Sequence, residues 1–340
     1  MPQLSVVVPC FNEEESLPRL VEVLRAELAD LGTTWEVILV DDGSRDRTLE
    51  MLREISAGDP RFRYLSLSRN FGKESAMLAG LSWADGDRVA ILDADLQHPP
   101  HLLAEMMPKL DEGYHQVIAR RTRTDDPVVR TALSRLYYKL INRMIEIELE
   151  DGVGDFRVLS RPAVDALLTL GETNRFSKGL FAWIGFPTAI IDYENVSREA
   201  GATKWSMRAL FNYGIDGVVS FNYRPLRISL WIGILVTVVA FGYALTVLVQ
   251  AAVGGVDSPG YVTLICAITG FGGLQMILLG VIGEYLGRIY AETKRRPLFL
   301  LRESSAGPAA TPVTLPIGQV SRLPRDLLHA PAGAERKDHA

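Results

Sequence analysis

Two cysteines in 340 residues exclude a disulfide-stapled secreted fold. Cys10 follows one apolar run and Cys266 lies inside another, so neither reads as part of a metal cluster or an oxidised bridge. Basic residues are outnumbered, 36 Lys and Arg against 41 Asp and Glu, and a net charge of −5 argues against a nucleic-acid binder. The start, Met1-Pro2-Gln3-Leu4-Ser5, has no basic stretch, apolar core or small-residue cleavage site before the strand-like Val6-Val7-Val8. No export leader is expected, and the front of the chain is expected to stay in the cytoplasm. No GxGxxG follows the first strand, which removes most support for a dinucleotide-dependent oxidoreductase. Charge is missing altogether from two long runs, Ile228 to about Val253 and Tyr261 to about Gly283. Each meets the roughly 20 apolar residues needed to cross a bilayer core of about 30 Å. They hold most of the apolar excess behind a mean hydropathy of +0.11, high for a soluble enzyme.

The loop between these runs, residues 254–260, holds one acid, Asp257, and no base. Arg224 and Arg227 precede the pair, and Arg288, Lys294, Arg295 and Arg296 follow it. The positive-inside rule then places both outer ends in the cytoplasm, giving a multi-pass hairpin in the inner membrane. Gly270, Gly272 and Gly273 would let such helices approach closely, which is compatible with a homo-oligomer. From about Ser304 the chain is rich in Ala, Pro, Gly and charge without periodicity. The expected organisation is a cytoplasmic unit over 1–223, a membrane hairpin over 224–290 and a largely disordered tail over 291–340.

Residues 1 to about 120 alternate short β-branched runs with amphipathic stretches, the signature of an α/β sheet. Strands are expected at Leu4–Val8, Trp35–Val40, Phe62–Ser66, Arg88–Leu92 and Gln116–Ala119. Helices are expected at Glu13–Leu31, Asp46–Ser56, Lys73–Trp83 and Pro100–Leu110, the first with Leu17, Leu20, Val21, Leu24 and Leu28 on one face. Between 128 and 147 a helical repeat of Val129, Leu133, Leu136, Leu140, Met144 and Ile147 is interleaved with Arg130, Arg135, Lys139 and Arg143. Such a helix suits a membrane surface, the plain alternative being a helix packed on its own domain.

A doubly wound sheet binds ligands beyond the carboxyl ends of its strands, and polar residues gather there. The second strand ends Val40-Asp41-Asp42-Gly43-Ser44-Arg45-Asp46. Acids at that place accept hydrogen bonds from a base or a ribose, although capping of the next helix by Ser44 or Asp46 accounts for some of them. The fourth strand ends Ile91-Leu92-Asp93-Ala94-Asp95-Leu96-Gln97-His98-Pro99-Pro100. Two carboxylates and an amide at the end of an apolar strand suit a hard divalent cation, Mg²⁺ or Mn²⁺, shared with substrate phosphates. His98 reads as a structural neighbour rather than a ligand.

The runs VVVPCFNEEESL, VDDGSRDRT, SRNFGKESAMLAGL and ILDADLQHPP resemble the family 2 glycosyltransferases of GT-A fold. More narrowly, they resemble the polyprenyl-phosphate glycosyltransferases, the group of dolichol-phosphate mannose synthase and bacterial undecaprenyl-phosphate glucosyltransferases. The likeness spans Leu4 to about Ser206, and the membrane hairpin matches the bacterial members. It implies a GT-A catalytic domain with interfacial amphipathic helices and a C-terminal two-helix hairpin. It also implies that Pro9, Phe11, Asn12, Glu13 and Asp42 line the nucleotide pocket with Lys73 nearby. Asp95 and Gln97 would hold the metal with Asp93 alongside, Asp93 and Asp95 serving catalysis. The resemblance further implies that Arg121, with Arg120 as the alternative, and the helical pair Arg130 and Ser134 hold the lipid phosphate. Arg123 lies beside this basic group. Asp155, in the segment 151–157, would be the acceptor-side carboxylate, and Arg198 and Lys204 would sit on a mobile loop, 198–206, closing over the donor.

The expected reaction is an inverting, metal-dependent transfer of a hexose from a nucleotide diphosphate sugar to a polyprenyl phosphate. UDP-glucose is the favoured donor and GDP-mannose the second. A processive polysaccharide synthase of the same fold would carry Gln-x-x-Arg-Trp and more membrane helices, and the sequence has neither. A membrane-anchored sugar-nucleotide binder without catalysis is the rival from another class. It would not need the acids Asp93 and Asp95.

Overall fold

The computed structural model of the chain describes residues 2–122, 142, 153–193 and 260–308, with parts of 231–253. Four strands form its parallel heart: Leu4–Cys10 (β1), Trp35–Asp41 (β2), Phe62–Leu67 (β3) and Arg88–Ile91 (β4). β1 pairs in parallel with β2 on one side and with β4 on the other, and β2 with β3. All seven residues of β2 are buried, as an apolar strand covered on both faces requires. The connecting helices are Leu17–Asp30 (α1), Thr48–Gly58 (α2), Lys73–Trp83 (α3) and Leu103–Asp111 (α4), the last entered through a 3₁₀ turn at Pro100–Leu102. α1 buries Leu17, Leu20, Val21, Leu24 and Leu28, the expected face. α3 is buried from Ala76 through Trp83, because Gly80 lets it lie directly on β1, where a Cβ would collide with the Val7 side chain.

The order β3-β2-β1-β4 reverses direction beside β1, which opens a crevice beyond the ends of β1 and β4. Beyond β4 the sheet becomes mixed. Val153–Ser160 (β6) runs antiparallel to both β4 and Gln116–Arg121 (β5), and Thr188–Tyr193 (β7) runs parallel to β5. Two helices, Arg161–Thr169 (α5) and Ser177–Trp183 (α6), lie between β6 and β7. The α/β architecture expected from the sequence is present. Its antiparallel strand brings residues 154–157, within the segment the sequence singles out for Asp155, beside the β4 motif.

A 33-residue helix, Tyr261–Thr293 (α7), covers the second uncharged run and continues past it. Within it, Gly270–Thr293 is long and apolar enough to cross a membrane, and none of that stretch is buried by protein. Leu264, Ile268, Met276 and Ile277 are more than half exposed. A helix apolar on every side and uncovered by protein suits lipid. Of the first uncharged run, residues 231–236 are helical.

The tail expected from residue 291 needs correction as far as residue 308. Leu301–Ser304 (β8) adds to the sheet antiparallel to β3, and Gly307–Pro308 (β9) pairs back on β8. Phe299 and Leu301 are buried. The strand is four residues long and follows a basic triplet and a proline, so no periodicity marks it. It is the exposed edge of β3 that makes it a strand. Apart from residue 142, the basic amphipathic stretch 128–147 lies outside the described residues, as do the loop 198–206 and residues 309–340.

Candidate active site

The crevice wall on the β1 and β2 side is built by mutual backbone clasps. Asn12 adopts a left-handed φ of 53°, a conformation that asparagine tolerates. Its amide donates to Ser44 Oγ at 2.9 Å, and its Oδ1 accepts from the Arg45 amide at 2.9 Å. The Glu13 amide donates to Thr48 Oγ1 at 2.8 Å. Pro9, Phe11 and Glu13 are partly buried along this wall. Buried Asp41 accepts from the Ser44 amide at 2.9 Å and from Ser66 Oγ at 2.8 Å. Asp42 accepts from the amides of Phe71 and Gly72 at 2.7 and 2.9 Å, and burial raises its pKa above the usual carboxylate value. Gly43, at φ +68°, lies so close under Arg69 and Asn70 that a Cβ would stand 2.6 Å from the Asn70 amide. Both acids of the Asp41–Asp42 pair therefore shape the pocket through the segment 66–72.

That segment leads into Lys73, the first residue of α3. Its ammonium stands 2.6 Å from Asp93 Oδ1 and is also bonded to Asp155 Oδ2. One cation thus joins the end of β4 to β6. Burial works against the Lys73 ammonium, but Asp93 and Asp155 outweigh it and raise its pKa. Burial likewise opposes ionisation of both carboxylates, and Lys73 reverses the sign, holding each below the usual range. Lys178 on α6 faces the same cluster, and burial depresses its pKa against the pull of Asp155. The turn that carries Lys178 is held by Glu74, which accepts from the Ser177 amide at 3.1 Å and from its hydroxyl. Arg157 is fully buried over the Phe181 ring and donates to Gly154 O at 3.0 Å, fixing the backbone beside Asp155.

Asp95 and Gln97 follow β4 and are partly buried. Asp95 Oδ1 accepts from the Gln97 amide at 3.1 Å across Leu96, whose left-handed φ of 53° is rare for a bulky side chain. Among the described residues no three His, Cys, Asp or Glu side chains converge on one point as metal ligands. A carboxylate and an amide, with Asp93 already neutralised by Lys73, make an oxygen donor pair rather than a closed cage. That suits Mg²⁺ or Mn²⁺, which takes one or two protein carboxylates and completes its shell with water and substrate phosphate.

His98 continues the motif. Its Nδ1 lies 2.5 Å from the Tyr193 hydroxyl and its Nε2 3.7 Å from Asp93 Oδ2. It packs on Gly154, where a Cβ would stand 2.9 Å from His98 Cε1. Tyr193 is opposite Arg121 in the β5–β7 register, and burial pushes its hydroxyl up to about 12. Arg120 points the other way, as alternation along a strand demands. It makes a bidentate pair with Asp192 at 2.6 and 3.0 Å. The structure thus brings Lys73, Asp93, Asp155, Asp95, Gln97 and Arg121 to one crevice, with Asp42 clasping the loop into it. Arg123, Arg130, Ser134, Arg198 and Lys204 lie outside the described residues. Sequence reasoning missed Lys178, Glu74, Arg157 and Tyr193. The signal for the three charged ones was charge inside apolar surroundings, which Arg157 between Phe156 and Val158 displays best.

Comparison with known proteins covers most of the chain. A family described as glycosyl transferase family 2 matches residues 5–168, and one described as the GtrB C-terminal hairpin matches residues 224–289. The chain is 47% identical over 320 residues to a putative glycosyltransferase, CsbB, of Bacillus subtilis, covering 94% of this chain and 97% of that one. It is 38% identical over 302 residues to a prophage bactoprenol glucosyl transferase homolog of Escherichia coli, covering 88% and 98% respectively. Among solved structures, glucosyl-3-phosphoglycerate synthase of M. tuberculosis aligns at 21% identity and a TM-score of 0.43, covering 64% of this chain and 78% of that one.

Proposed function

The chain belongs to glycosyl transferase family 2, and from that premise we propose that it moves a hexose, glucose before mannose, from a nucleotide diphosphate sugar to a polyprenyl phosphate. The observation that carries this reading is the Asp93–Lys73–Asp155 cluster, which stands in the crevice between the nucleotide wall and Arg121. Relatives named as bactoprenol glucosyl transferases, 37% identical over 307 residues, supply the acceptor class and the first donor to test. The reaction is placed on the cytoplasmic face of the inner membrane, with 228–253 and 261–283 as the two spans.

The acceptor needs no strong base. A phosphate monoester has its second pKa near 6 and is largely ionised at neutral pH. Asp155, held ionised by Lys73, is correspondingly a weak proton acceptor, and its role is to orient Lys73 and the sugar. Arg121, with Arg130 and Ser134, holds the lipid phosphate for in-line attack, which inverts the anomeric centre. Lys73, with Arg198 and Lys204, offers positive charge to the departing nucleoside diphosphate. A divalent cation held by Asp95 and Gln97 would add Lewis-acid stabilisation of that same leaving group.

The direct test is a transfer assay with purified protein, undecaprenyl phosphate, Mg²⁺ or Mn²⁺ and a panel of labelled UDP- and GDP-sugars. Organic-extractable label from UDP-glucose, lost with EDTA, is the expected result. Label from GDP-mannose alone would replace the donor, and label from no donor would overturn the reading. In the same assay Tyr193→Phe, which removes only the hydroxyl bonded to His98, should lower kcat about fivefold, the worth of one buried hydrogen bond. The donor KM should stay unchanged. A wild-type kcat would mean that the His98–Tyr193 contact plays no part in holding Asp93.

A further inference from the structure

We infer that the strand following the long apolar helix is a working part of the donor site, an inference that rests on the glycosyl-transfer reading above. β8 braces the segment 66–72, and the Arg53–Glu303 pair keeps β8 seated. The argument starts where α7 ends. Thr293 closes the helix, Arg295 turns the chain through a left-handed φ of 47°, and Pro297 begins the return to the sheet. Phe299 and Leu301 then enter the same apolar cluster that Phe71 packs against.

The bonds that β8 and its flanking residues make to β3 fall on the stretch leading to the donor pocket. The Ser68 amide donates to Leu300 O at 2.8 Å, and the Ser305 amide donates to Tyr64 O at 3.0 Å. Glu303 lies opposite Ser66, whose hydroxyl donates to Asp41 beneath the nucleotide wall. Three and four residues beyond Ser68 are the two amides that Asp42 clasps, and then comes Lys73. The strand is thus a second hold on this segment, on the side of β3 away from the Asp41 and Asp42 clasps.

The lock on the strand is a bidentate ion pair. Arg53 of α2 donates to Glu303 at 2.7 and 2.8 Å, and the Tyr64 hydroxyl adds a bond at 3.2 Å. Two parallel N–H···O bonds fix direction as well as distance. The helix end is tied at a second point, since the Thr173 amide and hydroxyl donate to Glu292 at 2.7 and 3.1 Å just before α6. The exit of α7 is therefore fastened on one side to the segment carrying Lys73 and on the other to the approach to Lys178. A membrane-anchored helix fastened in this way sets donor pocket and bilayer in one fixed relation.

The test uses the full chain in detergent or vesicles, with Arg53→Ala, Glu303→Ala and the reciprocal exchange Arg53→Glu with Glu303→Arg. UDP affinity, donor KM, kcat, the thermal midpoint and hydrogen exchange of residues 68–72 are measured. Each single variant should weaken UDP binding and raise donor KM about fivefold, equal to about 1 kcal/mol, the upper worth of a well-formed surface pair. Exchange at Phe71 and Gly72 should accelerate while kcat holds, and the reciprocal exchange should restore both. Unchanged UDP affinity in both single variants would overturn the inference. So would faster exchange spread evenly over the sheet with a fallen thermal midpoint, which marks a merely structural strand. Should the wild type transfer no sugar to lipid, the functional reading fails, while UDP affinity and exchange still judge the brace.

Discussion

Asp95→Ala is expected to lower transfer about 10³-fold, at the upper end of what removing one preorganised electrostatic partner costs. The fold should survive, because Asp95 is partly exposed beyond the end of β4 and accepts a local bond from the Gln97 amide two residues away. Loss of that bond frees a turn that Leu96 already holds in a strained left-handed conformation. What disappears is the one acid of the motif that Lys73 does not neutralise. Asp93 cannot substitute, because its charge is spent on Lys73 at 2.6 Å. Asp95→Asn keeps the shape and the oxygen but removes the charge, so it should fall close to the alanine variant. A second readout separates metal from chemistry: Mn²⁺ binding in the presence of UDP, followed by electron paramagnetic resonance, should be lost in both variants. Wild-type Mn²⁺ binding with no turnover would move Asp95 from the metal to the sugar. Unchanged transfer would dismiss the metal assignment altogether.

The parallel half of this molecule is legible from sequence because each element there is fixed by its own periodicity. α1 shows its buried leucines at helical spacing, and β2 is apolar throughout. The motifs at the strand ends follow, since a doubly wound sheet puts strand ends in one crevice whatever the details. The antiparallel half is not local in this sense. β6 carries Asp155 and Arg157, both polar, on a strand whose place between β4 and β5 no pattern within 153–160 declares. The link from Lys73 to Asp155 crosses 82 positions of sequence and that from Arg53 to Glu303 crosses 250. Contacts of that range are decided by topology. Asp42 shows the remaining difficulty. Its type and place announce a ligand, yet the structure first uses it to hold two backbone amides. A residue can shape a pocket and face its ligand at once, and composition does not separate those roles.

Lys73→Met should lower transfer about 10²-fold and move the acid limb of its pH profile upward. The side chain keeps its length and loses only the charge, so Asp93 and Asp155 lose the cation that joins them and keep only Lys178 and His98 beside them. Their ionised forms then repel, and burial, which already opposes ionisation of both, loses its largest opponent. Protonation of the pair begins at higher pH, which draws the acid limb toward neutrality. The stability change has a definite window. The raised pKa of Lys73 makes its contribution complete below about 10, and it is lost as pH climbs past the raised value. The lowered carboxylates contribute above about 4 and lose that contribution as pH falls through their lowered values. The difference in thermal midpoint between wild type and Lys73→Met should therefore be widest between those limits and shrink in acid. Lys73→Arg, which keeps the charge but not the compact ammonium, should recover the acid limb while recovering only part of kcat. An acid limb that stays in place in Lys73→Met would show that Asp93 and Asp155 do not govern it. The ammonium would then act on the donor diphosphate alone, and Asp155 would have no part in its placement.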